Sequence, residues 1–189
     1  MIISISAIYG EIKTKITKIM SLFKKIYLSN ILLMLPLLMF GQLPKFQAAY
    51  IYNFSNYIEW PVNYKTGDFV IGVLGKDEVT AELKLLAAKK NVKGQAMSIV
   101  EYKDATDITK CHILFISKNQ STQIEEAIIA LGSSNTLIIA DKTSLINKGA
   151  GIAFSFDGSK LFFELSRNNI TNRGLKINPA LEKLALKVN

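Results

Sequence analysis

Apolar residues in this chain follow two alternating spacings between residues 45 and 141, then a third arrangement after residue 150. Nearly unbroken apolar runs fill DFVIGVLG at 68–75, MSIVEY at 97–102, CHILFIS at 111–117 and TLIIAD at 136–141. Short runs of this kind, rich in Val and Ile and bounded by Gly, Asp or Lys, predict strands buried on both faces. The intervening segments have a different rhythm. KFQAAYIYNFSNYIEW at 45–60 puts Phe46, Ala49, Tyr50, Asn53, Phe54, Tyr57 and Ile58 at helical spacing, with Trp60 continuing the aromatic run and Pro61 predicting the stop. KDEVTAELKLLAAKK at 76–90 does the same with Val79, Leu83, Leu86 and Ala87, and Asp77 or Thr80 is the candidate N-cap. STQIEEAIIALG at 121–132 is a third helix, with Ser121 as its candidate cap and Gly132 as its stop. Alternation of this kind predicts an α/β fold in three layers, a mostly parallel sheet flanked by helices.

The third arrangement closes the chain. GIAFSF and KLFFELS flank Asp157-Gly158, a tight-turn pair, and Phe154 and Phe156 alternate with smaller residues. This predicts an antiparallel β-hairpin appended to the parallel sheet. A helix in or just after the Asn-rich 168–172 follows, is interrupted at Gly174, and resumes at Pro179, a residue suited to a first helical turn.

Ahead of all this, Lys24-Lys25 precedes an apolar run from Ile26 to Phe40 and then Gly41. A basic end, an apolar core and a small residue describe a cleaved signal peptide over 1–41. The run is short for a bilayer span, which takes roughly 20 apolar residues, and it contains Pro36. Export into the periplasm is therefore expected, leaving residues 42–189 as one domain. Residues 1–19 lie upstream of a complete signal, and Met20 offers an alternative start. This segment also changes the reading of charge. Its five lysines and Glu11 account for half of the net +8, leaving scattered basic residues and no nucleic-acid footprint in the remainder.

Candidate chemistry is sparse. The only cysteine and the only histidine, Cys111 and His112, are neighbours in the third strand, so they point to opposite faces and do not form a dyad or a shared metal site. No intramolecular disulfide is available to a single cysteine, and Cys111 is left as an apolar filler, a reactive thiol or an intermolecular partner. One histidine with scattered carboxylates is a poor metal set, so no metal and no cofactor is expected. The strand-then-glycine stretch IGVLGKDE lacks the full glycine pattern of a dinucleotide or phosphate loop, and no serine sits in a nucleophile elbow. The chain reads as non-catalytic. In an open parallel sheet, ligands gather at the carboxyl ends of strands. Those ends carry Lys76-Asp77, Lys118-Asn119 and Asp141-Lys142, either as solvated loops or as a pocket for a small polar ligand.

The aromatic stripe Tyr50, Phe54, Tyr57 and Trp60 has two readings: a helix packed on a sheet, or a partly exposed partner or dimer surface.

These segments, in the order AAYIYNF…EWP, FVIGVLGKDE, CHILFIS, TLIIAD, GAGIAFSFDGSKLFFELS and RGLKINPALEKLA, resemble the YfiR-like family from about Lys45 to Leu186. The resemblance implies a secreted or periplasmic α/β module without catalysis. In its best-understood members it implies a repressor that holds a membrane diguanylate cyclase inactive, limiting cyclic-di-GMP and biofilm output. It also implies dimers, and release by an outer-membrane lipoprotein or by redox change. This chain departs from the regulated members, which carry paired cysteines. With Cys111 alone, redox control through an internal bridge is not open to it. The alternative is a periplasmic small-ligand-binding protein serving a receptor or transporter.

Overall fold

The computed structural model describes Gly10, residues 13–24 and residues 42–189. They fall into two compact units, residues 1–42 and 43–189. In the first, residues 13–24 are helical and every one of them is exposed. The apolar run from Ile26 to Phe40 and the expected cleavage point at Gly41 lie outside the described residues.

The second unit opens with α1 (Leu43–Tyr57), which passes directly into β1 (Ile58–Glu59). β2 (Phe69–Leu74), α2 (Val79–Ala87), β3 (Asn91–Val92), β4 (Gln95–Tyr102) and β5 (Ile113–Ile116) follow. Next come α3 (Ile124–Leu131), β6 (Leu137–Ala140), β7 (Ile152–Phe156) and β8 (Leu161–Leu165). α4 (Arg167–Thr171), β9 (Lys176–Ile177), α5 (Pro179–Leu184) and β10 (Lys187–Val188) complete the chain. Eight strands make one curled sheet in the order β10-β8-β7-β6-β5-β2-β4-β3. Its centre is parallel throughout, from β4 across β2, β5 and β6 to β7, as the alternating pattern predicts. β8 returns antiparallel to β7, and the predicted hairpin forms there. At its turn, Asp157 accepts hydrogen bonds from the backbone N–H groups of Ser159 and Lys160, both at 2.8 Å.

The period-2 geometry of strands splits the core into two. Ile71, Val73, Ile113, Phe115, Leu137, Ile139, Ile152 and Phe154 point to one face, where α1, α2, α4 and α5 cover them. Leu114, Ile116, Ile138, Ala140 and Ala153 point to the other, under Ile124, Ala127 and Leu131 of α3. Gly72 belongs to the second face because a Cβ there would stand 2.6 Å from Cε2 of Tyr102.

Three local expectations are corrected. The 45–60 helix ends at Tyr57, because Ile58 and Glu59 extend to pair with Ile177 and Lys176 of β9. Its buried face is also turned from the predicted one. Gln47, Ala48, Ile51, Phe54 and Ser55 face the sheet, while Phe46 is 51% exposed. Small residues let the helix sit close to the rings already rising from β7 and β8, and Phe54 lies 4.9 Å from Phe163, centroid to centroid. Ser121 caps nothing, since it lies within a 3-10 turn over Lys118–Gln123 that precedes α3. Of the two candidates for α2, Asp77 serves the first turn, its Oδ1 accepting from Val79 N at 3.0 Å, and Thr80 is buried inside the helix with Oγ1 unbonded. Gly132 ends α3 with φ +49, as a stop residue should.

Candidate functional site

Three regions of the second unit carry the features from which a site could be built. The first is a cleft of about 570 Å³ between the end of α1, the β1–β9 pair and the β3–β4 hairpin. Its walls include Trp60, Tyr64, Phe69 and His112 and, at the rim, Lys65, Lys93 and Lys176. The aromatic floor is rigid because its polar atoms are all engaged. Trp60 Nε1 donates to the carbonyl oxygen of His112 at 3.2 Å. His112 Nδ1 accepts from Val70 N at 3.0 Å, so the ring proton sits on Nε2, which donates to Tyr64 O at 2.8 Å. The ring also stacks on Phe69 at 4.3 Å. Burial, more than any neighbouring charge, holds the imidazole below its ordinary pKa and therefore neutral. At the rim, Lys93 reaches back to donate to Ile58 O at 2.8 Å, and burial depresses its ammonium. Lys93 adopts φ +49 in the turn before Gly94, a left-handed conformation uncommon outside glycine and asparagine. The cleft thus offers an apolar aromatic base and a cationic edge.

The second region is the row of strand ends. Gly75 closes β2 with φ +95, and a Cβ there would stand 2.5 Å from Gln120 Cγ, so the loop after β5 packs directly on it. Ser117 Oγ donates to Leu74 O at 2.8 Å, tying the same two ends together. Asp141, at the end of β6, is half-buried, and Gln47 Nε2 donates to its Oδ1 at 2.6 Å. Its carboxyl is pushed up to about 6, first by burial and then by the facing charge of Asp77, with Lys118 and Gln47 opposing. The structure therefore brings Asp77 and Lys118 within electrostatic reach of Asp141. Asn119 is spent on Ser117, whose Oγ it meets at 2.5 Å, and Lys76 and Lys142 are exposed without joining the group. Among the described residues no three His, Cys, Asp or Glu side chains are grouped to hold a metal ion.

The third region is the aromatic stripe, which divides. Phe54 and Trp60 are buried, at 1% and 5% exposure, and belong to the core. They are withdrawn as surface anchors, since the bend after Tyr57 turns Trp60 inward onto Phe69 at 5.1 Å. Tyr50 and Tyr57 are half-buried and line a groove of about 270 Å³ with Phe163, Leu181 and Leu184, the last 61% exposed.

The neighbours Cys111 and His112 take opposite faces. Cys111 packs with Leu114 and Ala127 on the α3 side, and burial lifts its thiol to about 12. A thiol so placed stays protonated and unreactive. Gln47, Lys65, Lys93, Tyr64 and Lys176 were not singled out by sequence. Only the Lys93-Gly94 pair carried a local signal, that of a two-residue hairpin turn.

Fold and surface together define a three-layer α/β module whose concave features are assembled from loops and helix ends around a parallel sheet. Residues 44–186 match the YfiR/HmsC-like family, and the chain belongs to it. A conserved domain protein of known crystal structure from Vibrio cholerae O1 biovar eltor is similar in fold, with TM-score 0.51 and 18% identity, over 64% of this chain and 55% of that one. An ABC domain from Streptococcus pneumonia, solved in complex with L-Trp, aligns at TM-score 0.48 and 12% identity over the same shares of the two chains. The chain spans about half the length of these solved structures. No curated protein matches it.

Proposed function

We propose that this protein is a non-catalytic regulatory module of the cell envelope, exported to the periplasm and cut near Gly41-Gln42, that binds and restrains a membrane signalling protein. The observation that carries this reading is the family match over residues 44–186. The resemblance makes a membrane diguanylate cyclase the partner to test first, with cyclic-di-GMP as the output. Two features of the surface support it. Both nitrogens of the single histidine are committed to the backbone, so its imidazole does not stand free as a general base in the cleft. The groove between α1 and α5 presents Tyr50, Tyr57 and Leu184 as half-buried and exposed apolar surface, the kind that associates. A homodimer through the same groove is part of the proposal.

Deleting the gene in its host should raise cyclic-di-GMP. Restoring it with Leu184→Arg, at an exposed side chain of the groove, should fail to bring the level down, while the purified variant keeps its melting temperature. An unchanged cyclic-di-GMP level on deletion would remove the cyclase from the account. A second reading, a small-ligand-binding protein serving a receptor or transporter, is favoured by the 570 Å³ cleft. Isothermal titration with extracts of the growth medium, against a Lys93→Gln control, separates the two.

A further inference from the structure

The helix over residues 13–24 takes no part in the sites above, and its side chains are sorted around its axis. Ile16, Ile19, Met20 and Phe23 are 53%, 53%, 67% and 68% exposed. At about 100° per residue these four fall on one stripe roughly 100° wide. Lys13 and Lys24 border the stripe on one side, and Lys15 and Lys18 lie beyond its other side, with Leu22 between those two. Thr14, Thr17 and Ser21 fall on the far face. Their hydroxyls turn back onto the helix: Thr17 Oγ1 donates to Lys13 O at 2.7 Å, Ser21 Oγ to Lys18 O at 2.8 Å and Thr14 Oγ1 to Gly10 O at 2.5 Å. No acidic residue occurs from 13 to 24.

Most of a helix's stability comes from whatever covers its apolar face. The covering surface must be apolar in depth and negative at its boundary, because the lysines stand at both edges of the stripe. Long lysine side chains placed there lay their methylenes along the apolar layer and reach the charged layer above it. An anionic bilayer has that layering on either side of an embedded helix. An apolar stripe on one face with lysines and hydroxyls on the others suits a helix that lies along a bilayer surface.

We propose that residues 13–24 form an interfacial helix that docks, apolar stripe inward, on a bilayer rich in anionic phospholipid. The inference is independent of the regulatory reading above. It gives the segment upstream of the apolar run a task, that of holding the chain at the membrane which Ile26–Phe40 must enter.

The test uses the full 189-residue chain and sedimentation with unilamellar vesicles, either pure phosphatidylcholine or equimolar phosphatidylethanolamine and phosphatidylglycerol. Two triple variants keep helix-forming residues in place: Lys13→Gln, Lys15→Gln, Lys18→Gln, and Ile16→Ala, Ile19→Ala, Phe23→Ala. Both retain the apolar run, so its own affinity for lipid is constant across the set. The wild-type chain should bind the anionic vesicles far better than the neutral ones. The lysine variant should bind them on the order of 100-fold more weakly at low salt, and added salt should shrink that gap. The alanine variant should lose at least about tenfold on the anionic vesicles. Equal binding of the wild-type chain to both vesicle types overturns the proposal. So does unchanged binding in the two variants, which would assign the affinity to the apolar run.

Discussion

Replacing Asp141 with Asn should make the protein more stable at neutral pH and leave it unchanged in acid. Folding raises the carboxyl of Asp141 from 3.8 to about 6, because burial and Asp77 disfavour its charge. A group whose pKa is raised on folding is more protonated in the folded state, so stability falls as pH climbs from about 4 to about 6. A shift of this size corresponds to about 3 kcal/mol, and partial exposure of the side chain brings it to on the order of 2. Asn keeps an oxygen to accept from Gln47, whose amide stands 2.6 Å away, and removes the charge facing Asp77. Urea unfolding at pH 4, 5, 6, 7 and 8 should show wild type and Asp141→Asn converging at pH 4 and separating by about 1–2 kcal/mol above pH 6. Asp77→Asn should recover a smaller part of the same gain, since burial is the larger cause. A variant that is less stable at pH 7, or a gap that persists at pH 4, would refute the reasoning. The first result would mean that the charge is stabilised by a bond this account omits; the second, that the effect is packing.

Two further outcomes follow from the buried neighbours. His112→Ala should cost about 2–4 kcal/mol by leaving Val70 N and Tyr64 O without this partner, and in the Asp141→Asn background, where the opposing carboxyl titration is removed, stability should decline as pH falls below the ordinary histidine range, because only the unfolded chain gains the proton there. Chemical denaturation between pH 5 and 8 checks both. Cys111 should label slowly with a thiol reagent in the native protein and rapidly in urea, and Cys111→Ala should cost roughly 1 kcal/mol.

What could be read from the sequence follows the reach of each signal. β2, β5 and β6 were legible because a strand buried on both faces is apolar at every position, and the run gives the strand directly. The hairpin was legible because Asp157-Gly158 fixes a turn locally. The buried face of α1 was not. Its aromatic residues outweighed Ala48 and Ser55 in the pattern, yet contact distance to β7 and β8 favoured the small ones. The two-residue strands β1, β3, β9 and β10 have no periodicity of their own and exist only through their pairings. The same holds for the candidate sites. Asp77 and Asp141 were flagged as strand ends, but Gln47, which holds Asp141, lies 94 residues away and is visible only once α1 is docked.

The pairing of β1 with β9, joined by the hydrogen bond from Asn178 N to Tyr57 O, has a consequence for synthesis and transport. The first helix of the domain finds its partners at the far end of the chain, on Phe154, Phe163 and the segment carrying Leu181. Contacts this distant along the chain form late and slowly. A polypeptide emerging from its amino terminus therefore cannot close this domain until nearly all of it is available. In a chain exported as proposed above, this closure of the beginning on the end would leave the polypeptide threadable until its last residues arrive.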